Sequence, residues 1–169
     1  MIGIGLCPFA APPWRRGAVR LVVSDADDAD ELLAELQGEL LRLDATDPRE
    51  LETTLVIVPR LFAAFEDFNQ FLDPVDALLE CFDWVGRFQI ASFHPDYRFA
   101  DTVDADAGNL TNRSPYPILH LIREESLSLA IAQFPDTDGI PQRNIARMQA
   151  LTEPERIRLF PYLFATPKA

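Results

Sequence analysis

Residues 53–58 read Thr-Thr-Leu-Val-Ile-Val, and this β-branched run, which Pro59 ends, is the clearest buried strand in the sequence. Five leucines between residues 32 and 43 repeat at helical spacing before it, and an apolar stripe at helical spacing follows it between residues 62 and 72. A second short β-branched run at residues 18–23 predicts a strand ahead of the first helix. Strand–helix–strand units of this kind imply parallel pairs joined by right-handed crossovers.

Two more strands are predicted further along the chain, at residues 87–93 and 118–122. The sequence therefore predicts a single α/β domain over residues 1–169, with a mixed sheet of about four strands packed with helices; α+β is the alternative class. A loop of over twenty residues separates the third and fourth strands, so their relative direction stays open. The remaining predicted helices cover residues 73–82, with Asp73-Pro74 as cap and first position, and residues 124–134, 141–151 and 153–164. On the first of these, Cys81 is interpreted as a core residue.

The charge of the chain restricts its partners. Fifteen basic and 27 acidic side chains give a formal charge of −12, which disfavours nucleic acid and anionic membrane surfaces as partners. Residues 25–52 alone carry a net −9, so the rest of the chain is close to neutral. Two cysteines without a CxxC motif favour a reduced, cytoplasmic setting. The oligomeric state stays open.

The loop after the third strand carries the first candidate site residues, in the run Ser92-Phe93-His94-Pro95-Asp96-Tyr97. Ligands of open α/β sheets collect outside the carboxyl ends of strands, so His94 is a candidate general acid or base with Asp96 as its orienting carboxylate. Tyr97 is a candidate substrate contact. The alternative is a strand-end turn in which His94 and Asp96 have a structural role only.

A second set of candidates lies in residues 109–123, which contain two arginines, one histidine and no acid. This local positive charge suits an anionic group. Arg113 offers a planar guanidinium fork, Asn112 and Ser114 offer neutral donors, and Arg123 is a second cation. The alternative is a rigid turn in which Arg113 pairs with an aspartate between residues 96 and 104.

Three weaker candidates complete the set. His120 shares a face with apolar neighbours if the fourth strand alternates, which is typical of a satisfied core histidine. Together with His94 and Asp96 it forms the alternative prediction of a 2-His-1-carboxylate metal site, although the sequence has no tight ligand motif. Cys7, just before Pro8, is a candidate nucleophile if a positive neighbour lowers its pKa; otherwise it is a small buried thiol. No other cofactor is predicted.

Three motifs occur in the order Gly5-Leu6-Cys7-Pro8-Phe9-Ala10, Ser92-Phe93-His94-Pro95-Asp96-Tyr97, and Thr111-Asn112-Arg113-Ser114-Pro115-Tyr116-Pro117 followed by His120-Leu121-Ile122-Arg123-Glu124. On these motifs, and over nearly its whole length, the sequence resembles the bacterial domain-of-unknown-function family 1415. Members of that family usually have a further helical segment before the first motif, so the resemblance leaves open a missing N-terminal segment. It implies no established reaction, cofactor or catalytic residue.

Two hypotheses of function follow from these residues. The first is a small-molecule enzyme of hydrolase or transferase type, in which His94, Asp96 and Cys7 act on an anionic substrate held by Arg113 and its neighbours. The site would lie between residues 94–101 and 109–123. The alternative is a non-catalytic module that binds a small anion or a protein partner through the same segments.

Overall fold

The strand predicted at residues 53–58 lies inside a four-stranded sheet and pairs on both sides, as its apolar sequence predicts. The predicted α/β class and mixed sheet are confirmed, and the third and fourth strands are antiparallel to each other. The computed structural model describes residues 2–164. In chain order its elements are α1 (Ala11–Arg15), β1 (Val19–Val23), α2 (Ala29–Ala45), β2 (Thr53–Ile57), α3 (Phe65–Cys81), β3 (Phe88–Phe93), a 3-10 helix (Ala107–Thr111), β4 (Ile118–Arg123), α4 (Glu124–Ala132), α5 (Ile140–Gln149), α6 (Glu153–Leu159) and a 3-10 helix (Pro161–Leu163).

The order of strands across the sheet is β1-β2-β4-β3. Strand β1 is parallel to β2, and β4 runs antiparallel to both of its neighbours. Strands β1, β2 and β3 therefore point the same way. Helices α2 and α3 follow β1 and β2 and pack on one face of the sheet, where their leucines and phenylalanines form the main core with Val56, Leu119 and Leu121.

Helix α3 corrects the prediction of two helices separated at Asp73-Pro74. It is one helix with Pro74 inside it. An internal proline costs about 3 kcal/mol because it removes a backbone hydrogen bond and crowds the preceding turn. Burial of Phe68, Phe71 and Val75 along one continuous stripe offsets that cost. The prediction that Cys81 belongs to the core is also wrong, because Cys81 lies off this stripe and is exposed.

Three further differences concern helix ends and short helices. The helix after β1 begins at residue 29, where the side chain of Asp28 accepts a 2.8 Å hydrogen bond from the Glu31 N–H, rather than after Ser24 or Asp25. Helix α1 was not predicted, since its two prolines suggested a broken segment; both stand in its first turn, where a missing N–H costs nothing. The long loop also contains a 3-10 helix.

The N-terminal segment and the C-terminal helices form a second, smaller core. Leu6 packs with Met148, Leu151 and Phe160 in this cluster, and Leu110 of the 3-10 helix packs against it. Asn144 of α5 donates a 2.8 Å hydrogen bond to the Leu6 carbonyl. The long loop is therefore held between the sheet and this second core. Among the described residues, no helix is both long and apolar enough to cross a membrane.

Candidate functional site

The directions of the strands bring the two predicted segments together at one end of the strands. The carboxyl end of β3 lies beside the start of β4, because Phe93 pairs with Ile118. Residues 94–97 and 112–114 consequently lie next to each other, and we call these two short stretches the loop junction. The backbone joins them directly: the His94 N–H donates to the Asn112 carbonyl at 3.2 Å, and the Ser114 N–H donates to the His94 carbonyl at 3.3 Å.

The imidazole of His94 is fully buried and is hydrogen-bonded at both nitrogens. Nδ1 accepts a 3.0 Å bond from the Asp96 backbone N–H, and Nε2 lies 2.9 Å from the Phe62 carbonyl oxygen, to which it must donate. These two partners fix the neutral ring with its proton on Nε2. The rings of Phe65 and Phe68 pack beside it. Asp96 therefore orients His94 through its backbone amide, and its carboxylate is exposed.

The side chains of the second segment also bind backbone atoms. Asn112 Nδ2 donates to the Ser92 carbonyl at 3.2 Å, and Ser114 Oγ donates to the Tyr116 carbonyl at 2.5 Å. These two bonds fix the part of the loop junction that leads into β4. Each of the two candidate neutral donors thus already has a backbone acceptor: Asn112 on β3 and Ser114 within its own turn.

Arg113 binds the long loop. Its Nε donates to the Tyr97 carbonyl at 3.3 Å, and its Nη2 donates to the Asp104 carbonyl at 3.2 Å and lies 3.9 Å from the Asp104 carboxylate. Arg113 thus lies within ion-pair distance of Asp104, one of the loop aspartates that the alternative names. Burial raises the pKa of the neighbouring Tyr162 phenol to about 12, with the positive charge of Arg113 opposing the shift. Arg113 therefore joins the loop junction to Asp104 of the long loop.

Arg123 does not lie at this end of the strands. It ends β4 and pairs with Phe88, whereas Ile118 begins β4 beside the loop junction. At about 3.3 Å per residue the two ends of this strand are about 17 Å apart. The Arg123 guanidinium donates to the carbonyls of Leu43, Thr46 and Leu51 at the end of α2 and in the following loop. Burial lowers the pKa of Arg123.

Cys7 is partly buried in the N-terminal segment. Its neighbourhood includes the ring of Phe9, which packs edge-on against Phe134 at 5.7 Å. Between residues 2 and 164, no hydrogen bond, ion pair or ring contact joins Cys7 to His94 or Arg113. The three residues of the predicted catalytic set are thus brought together only in part: His94 and Asp96 are hydrogen-bonded to each other, and no hydrogen bond of the described residues joins Cys7 to them.

The alternative metal set of His94, His120 and Asp96 is not assembled. Side chains of a strand alternate between the two faces, and His94 packs against α3 while His120 lies on the other face, 6.4 Å from the Phe93 ring. His120 Nε2 lies 2.8 Å from Thr53 Oγ1, whose own proton goes to the Leu121 carbonyl. Within the described part of the chain, no group of three or more His, Cys, Asp or Glu side chains is placed to hold a metal ion.

His120 provides a pH-dependence prediction. Burial lowers the pKa of His120 from 6.5 to about 4, so the unfolded chain binds this proton more readily than the folded one. The stabilisation by neutral His120 is fully present above pH 6.5 and is lost as the pH falls towards 4. We expect the free energy of unfolding to fall by about 2 kcal/mol more between pH 7 and pH 5 in the wild type than in His120→Leu. Urea unfolding at both pH values measures this difference; equal pH dependence in the two proteins would contradict it.

A cleft of about 390 Å³ opens beside the loop junction, between the first turns of α3 and the loop. Residues 98–101 of its lining belong to the predicted segment 94–101, whereas Phe65, Glu66 and Asn69 of α3 were not selected from the sequence. Its lining residues are Phe65, Glu66, Asn69, Arg98, Phe99, Ala100, Asp101 and Thr102. Aromatic rings connect it to the loop junction, since Tyr97 lies 5.3 Å from Phe65 and 5.0 Å from Phe99.

The wall of the cleft that belongs to the loop is held by Asn109. This side chain is fully buried; its Oδ1 accepts from the Phe99 N–H at 3.1 Å and from Thr102 Oγ1 at 3.0 Å, and its Nδ2 donates to the Val103 carbonyl at 2.9 Å. Asp101 adopts a left-handed backbone conformation with φ at 61°, which costs a non-glycine residue on the order of 1 kcal/mol. The loop therefore holds a specific conformation at the cleft rather than a random one.

Comparison with known proteins gives one match. A family model described as "Protein of unknown function (DUF1415)" matches residues 1–157. No curated protein and no solved structure matches the chain. The match covers the sheet, the loop junction and the cleft, and its description adds no chemistry to them.

Proposed function

The chain belongs to the family of proteins of unknown function DUF1415, and since its description assigns no activity, we propose from the geometry that the chain is a non-catalytic module that binds a small zwitterionic molecule in the cleft. The observation that carries the proposal is the charge of the lining. Arg98 is one cation, and Glu66 and Asp101 are two anions. None of the three takes part in an ion pair among residues 2–164.

The presence of both signs of charge in one lining favours a ligand that carries both signs. A guanidinium binds a carboxylate through two parallel hydrogen bonds, and carboxylates bind an ammonium group. Phe65 and Phe99 add apolar and aromatic surface, which suits the carbon skeleton of such a ligand. An anion alone fits less well, because Glu66 and Asp101 would repel it.

The contacts at the loop junction support binding over catalysis. His94 has no ring nitrogen left for a substrate proton, and the guanidinium of Arg113 is directed at carbonyl oxygens. The positive charge of residues 109–123 suggested an anionic ligand, but both arginines of this segment donate to backbone carbonyl oxygens of the protein itself. We propose that this binding takes place in the cytoplasm, where cysteines such as Cys7 and Cys81 remain reduced.

A thermal-shift experiment tests the proposal. We expect at least one member of a panel of free α-amino acids to stabilise the wild type by about 3–5 °C near ten times its Kd, and to have no such effect on Arg98→Gln or Glu66→Gln. Simple carboxylates and simple amines of the same size are expected to have little effect, since each satisfies one kind of charge.

Arg15→Gln is the matched control, because Arg15 is also exposed and lies on α1, outside the cleft. It should respond to the ligand as the wild type does. A panel without any stabilising compound would contradict the proposal, and so would a compound that stabilises Arg98→Gln as strongly as the wild type.

A further inference from the structure

Strand β1 is an edge of the sheet, and one side of its backbone has no partner. Among the described residues β1 pairs only with β2. The Ser24 N–H, directly after β1, donates to the Ile57 carbonyl of β2 at 2.8 Å. Because alternate residues of a parallel strand direct their backbone groups to opposite sides, the N–H and C=O groups of Val19, Leu21 and Val23 point away from β2. No hydrogen bond within residues 2–164 reaches these outward groups.

The edge of β1 also lacks the features that usually block an exposed edge strand, which are lysine, proline and β-bulges. Its sequence is Val-Arg-Leu-Val-Val, and its pairing with β2 is continuous over five residues. Its one charged side chain, Arg20, is bound to Glu39 at 2.8 Å. Leu21 is 55% exposed and Val23 is 61% exposed. This edge is therefore able to pair with a further strand.

A groove of about 320 Å³ lies between this edge strand and α2. We call it the edge groove. It is formed by Val22 and Val23 of β1 and by Glu35, Gly38, Glu39 and Arg42 of α2. Gly38 lies in the interior of α2, where glycine weakens a helix, and a Cβ built there would meet none of the described atoms outside the helix backbone within 4 Å. Packing does not require a glycine at this position, and its missing side chain widens the groove.

The edge groove has an acidic lining in which one carboxylate has no cation. Glu39 binds Arg20 and lies 3.6 Å from Arg42. Glu35 forms no ion pair with the described residues, and its Oε2 is buried without a hydrogen-bond partner among them. A buried oxygen without a donor is costly, and an ammonium or guanidinium group would satisfy it. The net −9 of residues 25–52 attracts such a cation to the groove.

We propose that the edge of β1 binds an extended segment of a partner protein in which basic and apolar residues alternate. The segment adds a fifth strand to the sheet by bonding to the outward backbone groups of β1. Side chains of a strand alternate between its two faces. The basic residues of the segment therefore enter the edge groove beside Glu35, and its apolar residues pack on Leu21 and Val23.

A second copy of the chain fits this edge less well. Antiparallel pairing of two β1 strands would put both α2 helices on the same side of one continuous sheet, so that two segments of net −9 would repel each other. The only basic residue that β1 could offer is Arg20, which Glu39 already binds. The edge groove is also separate from the amino-acid cleft, which α3 and the long loop form, so either proposal can fail without the other.

Fluorescence polarisation on the full chain tests the proposal with a labelled Val-Lys-Val-Lys-Val peptide, acetylated and amidated at its ends. We expect this probe to bind with a Kd below about 500 µM. A Val-Glu-Val-Glu-Val peptide should bind about tenfold more weakly or worse. N-methylation of the valines and of the lysines blocks the two alternate sets of backbone donors separately. One of these two N-methylated probes should lose binding, because only one set faces β1.

Three variants of the protein test the same contacts from its own side. Glu35→Gln removes the unpaired carboxylate, and Gly38→Leu fills the edge groove with a residue that suits a helix. Leu21→Pro removes an outward N–H and leaves the bonds to β2 in place. Each should raise the Kd of the probe about tenfold or more. Glu50→Gln is the matched control, since it removes the same charge from the same acidic segment outside the groove, and it should change the Kd less than about twofold.

Absence of probe binding at about 1 mM overturns the proposal. Equal binding of the glutamate peptide or of both N-methylated probes overturns it as well, and so does a Glu35→Gln protein that binds like the wild type or like Glu50→Gln. Self-association that the probe displaces would assign the edge to a second copy instead. Circular dichroism checks the fold of each variant, and if Leu21→Pro does not fold, the N-methylated probes decide on the backbone bonds.

Discussion

Replacing His94 with alanine is expected to lower the free energy of unfolding by about 3–5 kcal/mol. The substitution removes a fully buried ring and leaves a cavity next to Phe65 and Phe68. It also leaves the Phe62 carbonyl and the Asp96 N–H without partners. Each lost hydrogen bond costs about 0.5–1.5 kcal/mol, and the rest of the loss comes from the cavity. Urea unfolding at pH 7, followed by tryptophan fluorescence, measures the difference.

Amide variants separate the two hydrogen bonds. His94→Asn keeps an oxygen near the position of Nδ1 and can still accept from Asp96, whereas His94→Gln can place an N–H near the Phe62 carbonyl. Both should be less stable than the wild type and more stable than His94→Ala. Asp96→Ala is the matched control, because its carboxylate is exposed, and it should change stability by less than about 0.5 kcal/mol. A stable His94→Ala protein would contradict the structural role.

The main core could be predicted from the sequence because its pattern is local. A continuous β-branched run marks β2, and the leucine spacing of α2 marks a face that must be buried. Pro74 shows where local rules fail. The proline suggested a helix start, and the true result depends on a sheet surface that buries residues on both sides of it. The exposure of Cys81 has the same cause, because the packing of α3 on the sheet decides which of its side chains face the solvent.

The candidate site was predicted at the level of segments, and the roles of its residues depend on tertiary contacts. His94 and Arg113 are the residue types that catalytic sites use, but their partners are carbonyl oxygens, which every residue carries and no sequence pattern reveals. Phe62, whose carbonyl faces His94, has a φ of 60°, which is rare for an aromatic residue. Its ring packs against Phe71 at 4.7 Å and Phe68 at 6.0 Å between ring centroids, which are tertiary contacts that the sequence does not reveal.

The structural role of Arg123 could not be predicted from the sequence either, because its partners are also carbonyl oxygens. Its replacement is expected to have the second large effect on stability. We expect Arg123→Ala to lower the free energy of unfolding by about 2–4 kcal/mol, because three carbonyl oxygens near the end of α2 lose a charged donor. The guanidinium also lies over the Phe88 ring at 5.9 Å, so its removal loses packing as well. Urea unfolding at pH 7 measures the loss.

Arg123→Lys provides the comparison that assigns the effect to geometry. A lysine keeps the charge but cannot direct a planar fork at several acceptors, so it should recover less than half of the lost stability. Arg42→Ala is the control, since Arg42 is a more exposed cation in the last turn of α2, the helix end that the Arg123 guanidinium contacts. At temperatures where it is folded, the Arg123→Ala protein should bind the amino acid found for the cleft with unchanged affinity. Arg123 lies at the opposite end of β4 from the loop junction. Normal stability combined with lost binding would instead restore Arg123 to the ligand site.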